Sequence, residues 1–191
     1  MRLHLVFALG LLPTTLTAAE LYHKHDDQAL ASCSIPKRDN CDFYLSCLEA
    51  AVPCGREGYA IAYGDHYCHK FQSVLTRFSD QGKVWLSNAM YCLQEKLVPY
   101  ATGQNQASCK AIQKYAFATH PSCYLDNGLC TLPPSDWLAI LETVGTEGLF
   151  GSIDALIATL EAAGVCIDFY IWLIRNEFID KAERRISSKE L

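Results

Sequence analysis

Ten cysteines, at positions 33, 41, 47, 54, 68, 92, 109, 123, 130 and 166, constrain this chain more than any other feature. All ten follow an N-terminal stretch, "MRLHLVFALGLLPTTLTAAE", that reads as a secretory signal peptide. Arg2 supplies the positive start, Leu5 to Leu12 an apolar run too short to span a bilayer, and Thr17, Ala18 and Ala19 the small residues before a cut near Ala19–Glu20. An exported chain reaches an oxidising compartment in which disulfides persist, so an even set of cysteines is expected to close into bridges. Zinc is the weaker reading, because no C-x-x-C spacing occurs. Spacing alone selects no connectivity.

After cleavage one ordinary domain of about 170 residues remains, long enough for a sizeable core. The net charge is −5, and losing Arg2 makes it one unit more negative. An acidic chain without a basic cluster speaks against nucleic acid as a partner, and against anionic membranes. No transmembrane segment is expected in the mature part. No Asn begins an N-x-Ser/Thr sequon, so no N-glycan is expected.

The organisation reads as signal peptide 1–19, flexible N-terminal segment 20–32, a single disulfide-rich helical domain 33–186 and a polar tail 187–191. In the flexible segment "HKHDD" holds metal-ligand types, but a frayed terminus explains it as well. From Cys41 the apolar spacing turns helical through Phe43, Tyr44, Cys47, Leu48, Ala51 and Val52, until Pro53 and Gly55 break it. After Gly58, residues Ala60, Tyr63, Tyr67, Phe71, Val74 and Phe78 form a stripe at the 3.6-residue period, with Cys68 and Leu75 at its margin. A turn at Ser79–Gly82 leads to a third helix using Leu86, Ala89, Met90, Leu93 and Leu97, which Pro99 ends. A fourth, shorter helix uses Ile112, Tyr115 and Ala116 or Phe117, and Pro121 stops it. Asp126-Asn127-Gly128 marks a turn. Ser135 caps a fifth helix with Trp137, Leu138, Leu141 and Val144 inward. Ser152 caps a sixth, with Ile153, Leu156, Ile157 and Leu160 inward. A last helix runs from about Val165 to Ile186; its start, "CIDFYIWLI", is apolar all round and needs cover on more than one face. The class is all-α, a disulfide-crosslinked domain of about six or seven helices.

The stretch "CGREGYAIAYGDHYCHKF" tests whether this is an enzyme. Its cysteines, histidines and acid would suit a small hydrolase. On the helix, however, His69 points away from the apolar stripe and His66 lies well off it, so both are expected in solvent. Asp65 and His66 are neighbours whose side chains diverge by about 100°, which prevents a mutual acid–base pair. No G-x-S-x-G, H-E-x-x-H or EF-hand loop occurs. A Cys–His nucleophile needs a free thiol, and bridging leaves none; Cys54, and Cys123 near His120, are read as structural. Trp85 and Trp137 fit core stripes, and Trp172 fits a core or an interface. Asp126, Asp136 and Glu142 allow at most weak calcium binding, because their spacing builds no loop site. No catalytic, cofactor-binding or metal residues are assigned.

The ordered pattern of "CLEAAVPC" at 47–54, "GYAIAYGDHYCHKF", "RFSDQGKVWLSNAMYC" at 77–92, "CKAI" at 109 and "SCYLDNGLC" at 122–130 resembles the stanniocalcin family. The likeness covers residues 33–130 and is looser around Cys166; the chain resembles a distant, invertebrate-like member. It implies the pairs Cys33–Cys47, Cys41–Cys68, Cys54–Cys109, Cys92–Cys123 and Cys130–Cys166. The first closes a loop of about 15 residues, worth roughly 3 kcal/mol in the chain-entropy view. Cys68 is then a staple and not a nucleophile.

Two features depart from that family. No cysteine follows Cys166, whereas vertebrate members are joined covalently through a further one, and "CLEAAVPC" lacks the family's sequon. Any homodimer is therefore expected to be non-covalent, with Phe169, Tyr170, Trp172 and Leu173 as the candidate surface. The resemblance implies a secreted, extracellular, hormone-like regulatory protein linked to calcium and phosphate homeostasis. It would bind a receptor or an extracellular enzyme, and would have no cofactor and no catalysis of its own. The alternatives are a small secreted hydrolase or lipid-binding protein of phospholipase-like type, an inhibitor of a secreted metalloproteinase, and a structural or storage protein.

Overall fold

The computed structural model describes residues 32–150 together with Val165, Cys166, Ile171, Trp172, Ile174, Arg175 and Glu177; side chains are described up to Gly145 and at those seven. The signal peptide, nearly all of the N-terminal segment, the helix capped by Ser152 and the polar tail lie outside the described residues. Those that are described form helices and no strand. The first, α1, is a wide-turned π-helix, Tyr44–Glu49. The second, α2, starts as a π-helix at Ala60–Asp65 and continues as an α-helix over His66–Ser73, followed by a 3-10 turn at Leu75–Arg77. Then come α3, Asp80–Ala101, and α4, Cys109–Leu125. A 3-10 turn at Leu129–Thr131 leads to α5, Pro134–Phe150, which bends at Gly145, where φ is +68°.

Two antiparallel pairs make the body. In the first, α1 lies against α2: Cys41 is bonded to Cys68, and the Tyr44 ring sits on Gly64 so closely that a Cβ there would collide with it. Tyr44 is buried and has little room to give. Gly64→Ala is therefore expected to lose about 1–3 kcal/mol, as for other overpacked cores. Urea unfolding under non-reducing conditions measures this, and an unchanged midpoint would show the ring to be mobile.

In the second pair α3 runs beside α4. The Trp85 indole N–H donates to the Tyr124 carbonyl (3.1 Å), and Cys92 is bonded to Cys123. Leu86, Ala89, Met90 and Leu97 of α3 meet Ile112, Ala116 and Phe117 of α4 in one buried cluster that also takes in Leu48 and Tyr59.

The bridges are Cys33–Cys47, Cys41–Cys68, Cys54–Cys109, Cys92–Cys123 and Cys130–Cys166, with Cα separations of 5.1 to 5.8 Å and no free thiol. The first two pin the entry loop to α1 and α2. The third ties the loop before α2 to the start of α4. The last holds Cys166 against the turn before α5, and beyond it Trp172 meets the Trp137 ring edge-on at 6.1 Å.

Several details differ from the sequence expectations. Neither proline stops its helix: Pro99 lies inside α3 and Pro121 inside α4. Past Pro121, the Cys123 bridge and the Trp85–Tyr124 contact hold the turn that the missing N–H weakens. Gly82 belongs to the first turn of α3, which Ser79 caps by accepting from the Gly82 N–H. Ser135 is not a cap, because α5 starts from the Pro133 carbonyl and Pro134 leads its first turn. Leu138 and Tyr115 face outward; Tyr115 instead packs against Tyr100. Ala51 is exposed and Leu93 only half-buried. On α2 the buried line is Ala60, Gly64 and Cys68, so Cys68 is at the centre rather than the margin, and Tyr63, Tyr67 and Phe71 flank it. The wide first turns rotate that helix, and the Cys41 bridge fixes the rotation.

Candidate functional site

The two histidines singled out in the sequence stay at the surface. His66 and His69 are both exposed on the outer side of α2, as is Lys70. His66 makes an edge-on contact with Tyr67, and the Lys70 ammonium lies 5.6 Å from the centre of that ring. What the sequence reading missed is the partner of His69. Its Nδ1 lies 3.0 Å from the Asp65 carbonyl oxygen and 3.3 Å from the Asp65 carboxylate, an i,i+4 pair. The i,i+4 spacing of Asp65 and His69 is the sequence signal for this pair. The hydrogen bond runs to the backbone carbonyl and not to the carboxylate, and the His69 side chain is 58 % exposed, so the pair is a surface contact.

Among the described histidines, His120, on α4, is buried. Tyr59 Oη lies 3.0 Å from its Nε2 and Tyr124 Oη 3.2 Å from its Nδ1, so both ring nitrogens are occupied by phenol hydroxyls. Phe117 packs edge-on against the same ring. Burial lowers the His120 pKa to about 4 and raises those of Tyr59, Tyr124 and Tyr44, so the cluster is neutral at physiological pH. It works as a satisfied polar plug between α2 and α4. Its i,i+4 half, His120–Tyr124, is visible in the sequence; Tyr59, 61 positions away, is not. Cys123, read beside His120, is bonded to Cys92 and is fully buried.

The carboxylates considered for weak calcium binding are dispersed. Asp136 is completely buried and accepts hydrogen bonds from the Ser79 backbone N–H (2.8 Å) and hydroxyl (2.5 Å), so it is a structural cap and not a surface ligand. Glu142 pairs with Arg77 on the surface, and Asp126 is exposed at the α4 terminus. Among the described residues, no three His, Cys, Asp or Glu side chains converge on a point that could hold a metal ion. No helix among them is long and apolar enough to cross a membrane.

The surface offers binding features instead. Ile35 is 71 % exposed in the loop between Cys33 and Cys41. In that loop Arg38 stacks 4.4 Å above the Tyr91 ring and donates to Asn88, while buried Gln94 and α2's Gln72 donate to the Asn40 and Asp39 carbonyls. Two bridges and these clamps give the loop a fixed shape. Of the candidate dimer residues, Trp172 is half-buried against Trp137, with Ile171 and Ile174 exposed on either side of it; Phe169, Tyr170 and Leu173 lie outside the described residues.

A family model described as the stanniocalcin family matches residues 23–160. No curated protein and no solved structure matches the chain.

Proposed function

The chain belongs to the stanniocalcin family, and we propose that it is a secreted hormone-like regulator that acts by surface contact with an extracellular protein and catalyses no reaction itself. The observation that carries this reading is the family match over more than half of the chain. The fold agrees with it in kind: all ten cysteines are bridged, as suits an oxidising extracellular setting. His120 is neutral and enclosed by Tyr59 and Tyr124, and His66 and His69 lie exposed on α2, which supports a role without catalysis. The N-terminal 19 residues act as the export signal. The target is a receptor or a secreted enzyme within calcium and phosphate homeostasis, and the protein pairs non-covalently through the apolar segment after Cys166.

The test uses the protein secreted from cultured cells, fluorescently labelled and added to candidate target cells. Saturable binding is expected, displaced by unlabelled protein and lost after reduction and alkylation. The double variant His66→Ala/His69→Ala should keep its circular dichroism spectrum and bind within about twofold of the parent, because both side chains lie in solvent. Calcium-dependent ester hydrolysis by the parent, absent in that variant, would replace this reading with the phospholipase-like one.

A further inference from the structure

We propose that the Cys54–Cys109 bridge is a thiol-exchange site, opened by a small peptide thiol of the glutathione type while the other four bridges stay closed. It combines exposure of both halves with a depression that a small thiol can enter. Cys33–Cys47 and Cys41–Cys68 are buried at both ends; Cys92 is half-buried and Cys130 exposed, but their partners Cys123 and Cys166 are deeply buried. Only Cys54 and Cys109 are both partly exposed. They form one wall of an open depression of about 400 Å³, completed by Glu57, Gly58, Lys110 and Gln113.

The lining suits such a thiol. A γ-glutamyl tripeptide carries two carboxylates and one ammonium, and here Lys110 and Glu57 supply one charge of each complementary sign and Gln113 an amide. Gly58 keeps the approach open, because a Cβ there would collide with the Cys54 side chain.

The two sulfurs are not equivalent. Cys109 is the first residue of the 17-residue α4, capped by Ser108, whose hydroxyl accepts from the Ala111 N–H. A thiolate at that position meets the positive end of the helix and the neighbouring Lys110. Cys54 sits in the loop Pro53–Gly58, where Gly55 has φ +72°. The incoming thiolate therefore attacks Cys54 Sγ. A new sulfur–sulfur bond forms there, the Cys54–Cys109 bond breaks, and its electron pair leaves on Cys109 Sγ as the thiolate. No other oxidant or reductant is needed. A second thiol can then attack the mixed disulfide, releasing the oxidised dimer of the small thiol and leaving both cysteines reduced. Opening uncouples the loop before α2 from α4.

The experiment incubates the native secreted protein with reduced glutathione at neutral pH. Samples are quenched with an alkylating agent at intervals, digested without reduction and mapped by mass spectrometry. We expect glutathione on Cys54 and the alkyl label on Cys109, accumulating at least tenfold faster than thiols from any other bridge. Lys110→Glu should slow this several-fold with an unchanged circular dichroism spectrum. Opening first at Cys130–Cys166 or any other pair overturns the proposal. So does equal opening of all five, adducts mainly on Cys109, or no adduct under conditions in which a reporter disulfide is fully reduced.

Discussion

Between pH 7.5 and pH 4.5 the protein should lose about 2–3 kcal/mol of folding stability through His120 alone. The imidazole is buried with no carboxylate among its hydrogen-bond or ring partners, and its pKa falls from an ordinary 6.5 to about 4. The folded form therefore binds its proton later than the unfolded form as pH falls. The stabilisation is complete above the unfolded value of 6.5, shrinks as pH drops through that value, and is gone once pH passes below the folded value near 4. Tyr59, Tyr124 and Phe117, which touch the ring, stay neutral throughout this window and offer the imidazolium no counter-charge. Urea titrations at several pH values would measure the loss. His120→Gln, whose amide can also donate to one phenol and accept from the other, serves as the control. Its stability at pH 7.5 can be lower, but its slope over this window should be flatter than the parent's by the same 2–3 kcal/mol. Parallel slopes would mean that His120 takes up its proton alike in the folded and unfolded chains, as a hydrated imidazole would.

His120 also shows what the sequence could and could not reveal. The helices were legible because their apolar residues recur at the helical period and long-range packing only reinforces them: Leu86, Ala89 and Leu97 are buried where the period puts them. The outward histidines were legible for the same reason. Buried polar residues were not. The Gln94 amide nitrogen donates to Asn40, His120 is held by Tyr59 and Asp136 by Ser79, partners 54, 61 and 57 residues away, and no local pattern marks such pairs. Helix ends were misread where tertiary contacts override a local breaker, as at Pro121. The connectivity of the cysteines was not legible in spacing at all and entered only with the family pattern. The accessible Cys54–Cys109 bridge was invisible for a related reason: in sequence all ten cysteines look alike, and only the fold distinguishes an exposed sulfur from a buried one.

Replacing Asp136 should have the largest effect of any single polar substitution in the described region. Asp136→Ala is expected to lower stability by about 3 kcal/mol. The residue is fully buried, and its two oxygens hold the Ser79 backbone N–H and hydroxyl. That hydroxyl in turn accepts from the Gly82 N–H at the start of α3, so one carboxylate orients the whole cap. Truncation leaves the Ser79 N–H and hydroxyl without their acceptors in a site that water reaches poorly, and loosens the α3 cap as well. Ser79→Ala removes the hydroxyl but keeps the N–H contact, so it should cost only about 1 kcal/mol. Gly82→Ala attacks the same arrangement from the other side, because its new Cβ would occupy the space of the Asp136 carboxylate. The Asp136 and Ser79 substitutions share a partner and should not be additive; a double-mutant cycle by urea unfolding reads that coupling directly. A loss below about 0.5 kcal/mol for Asp136→Ala would mean that water replaces the carboxylate and that α3 needs no contact from α5 to start where it does.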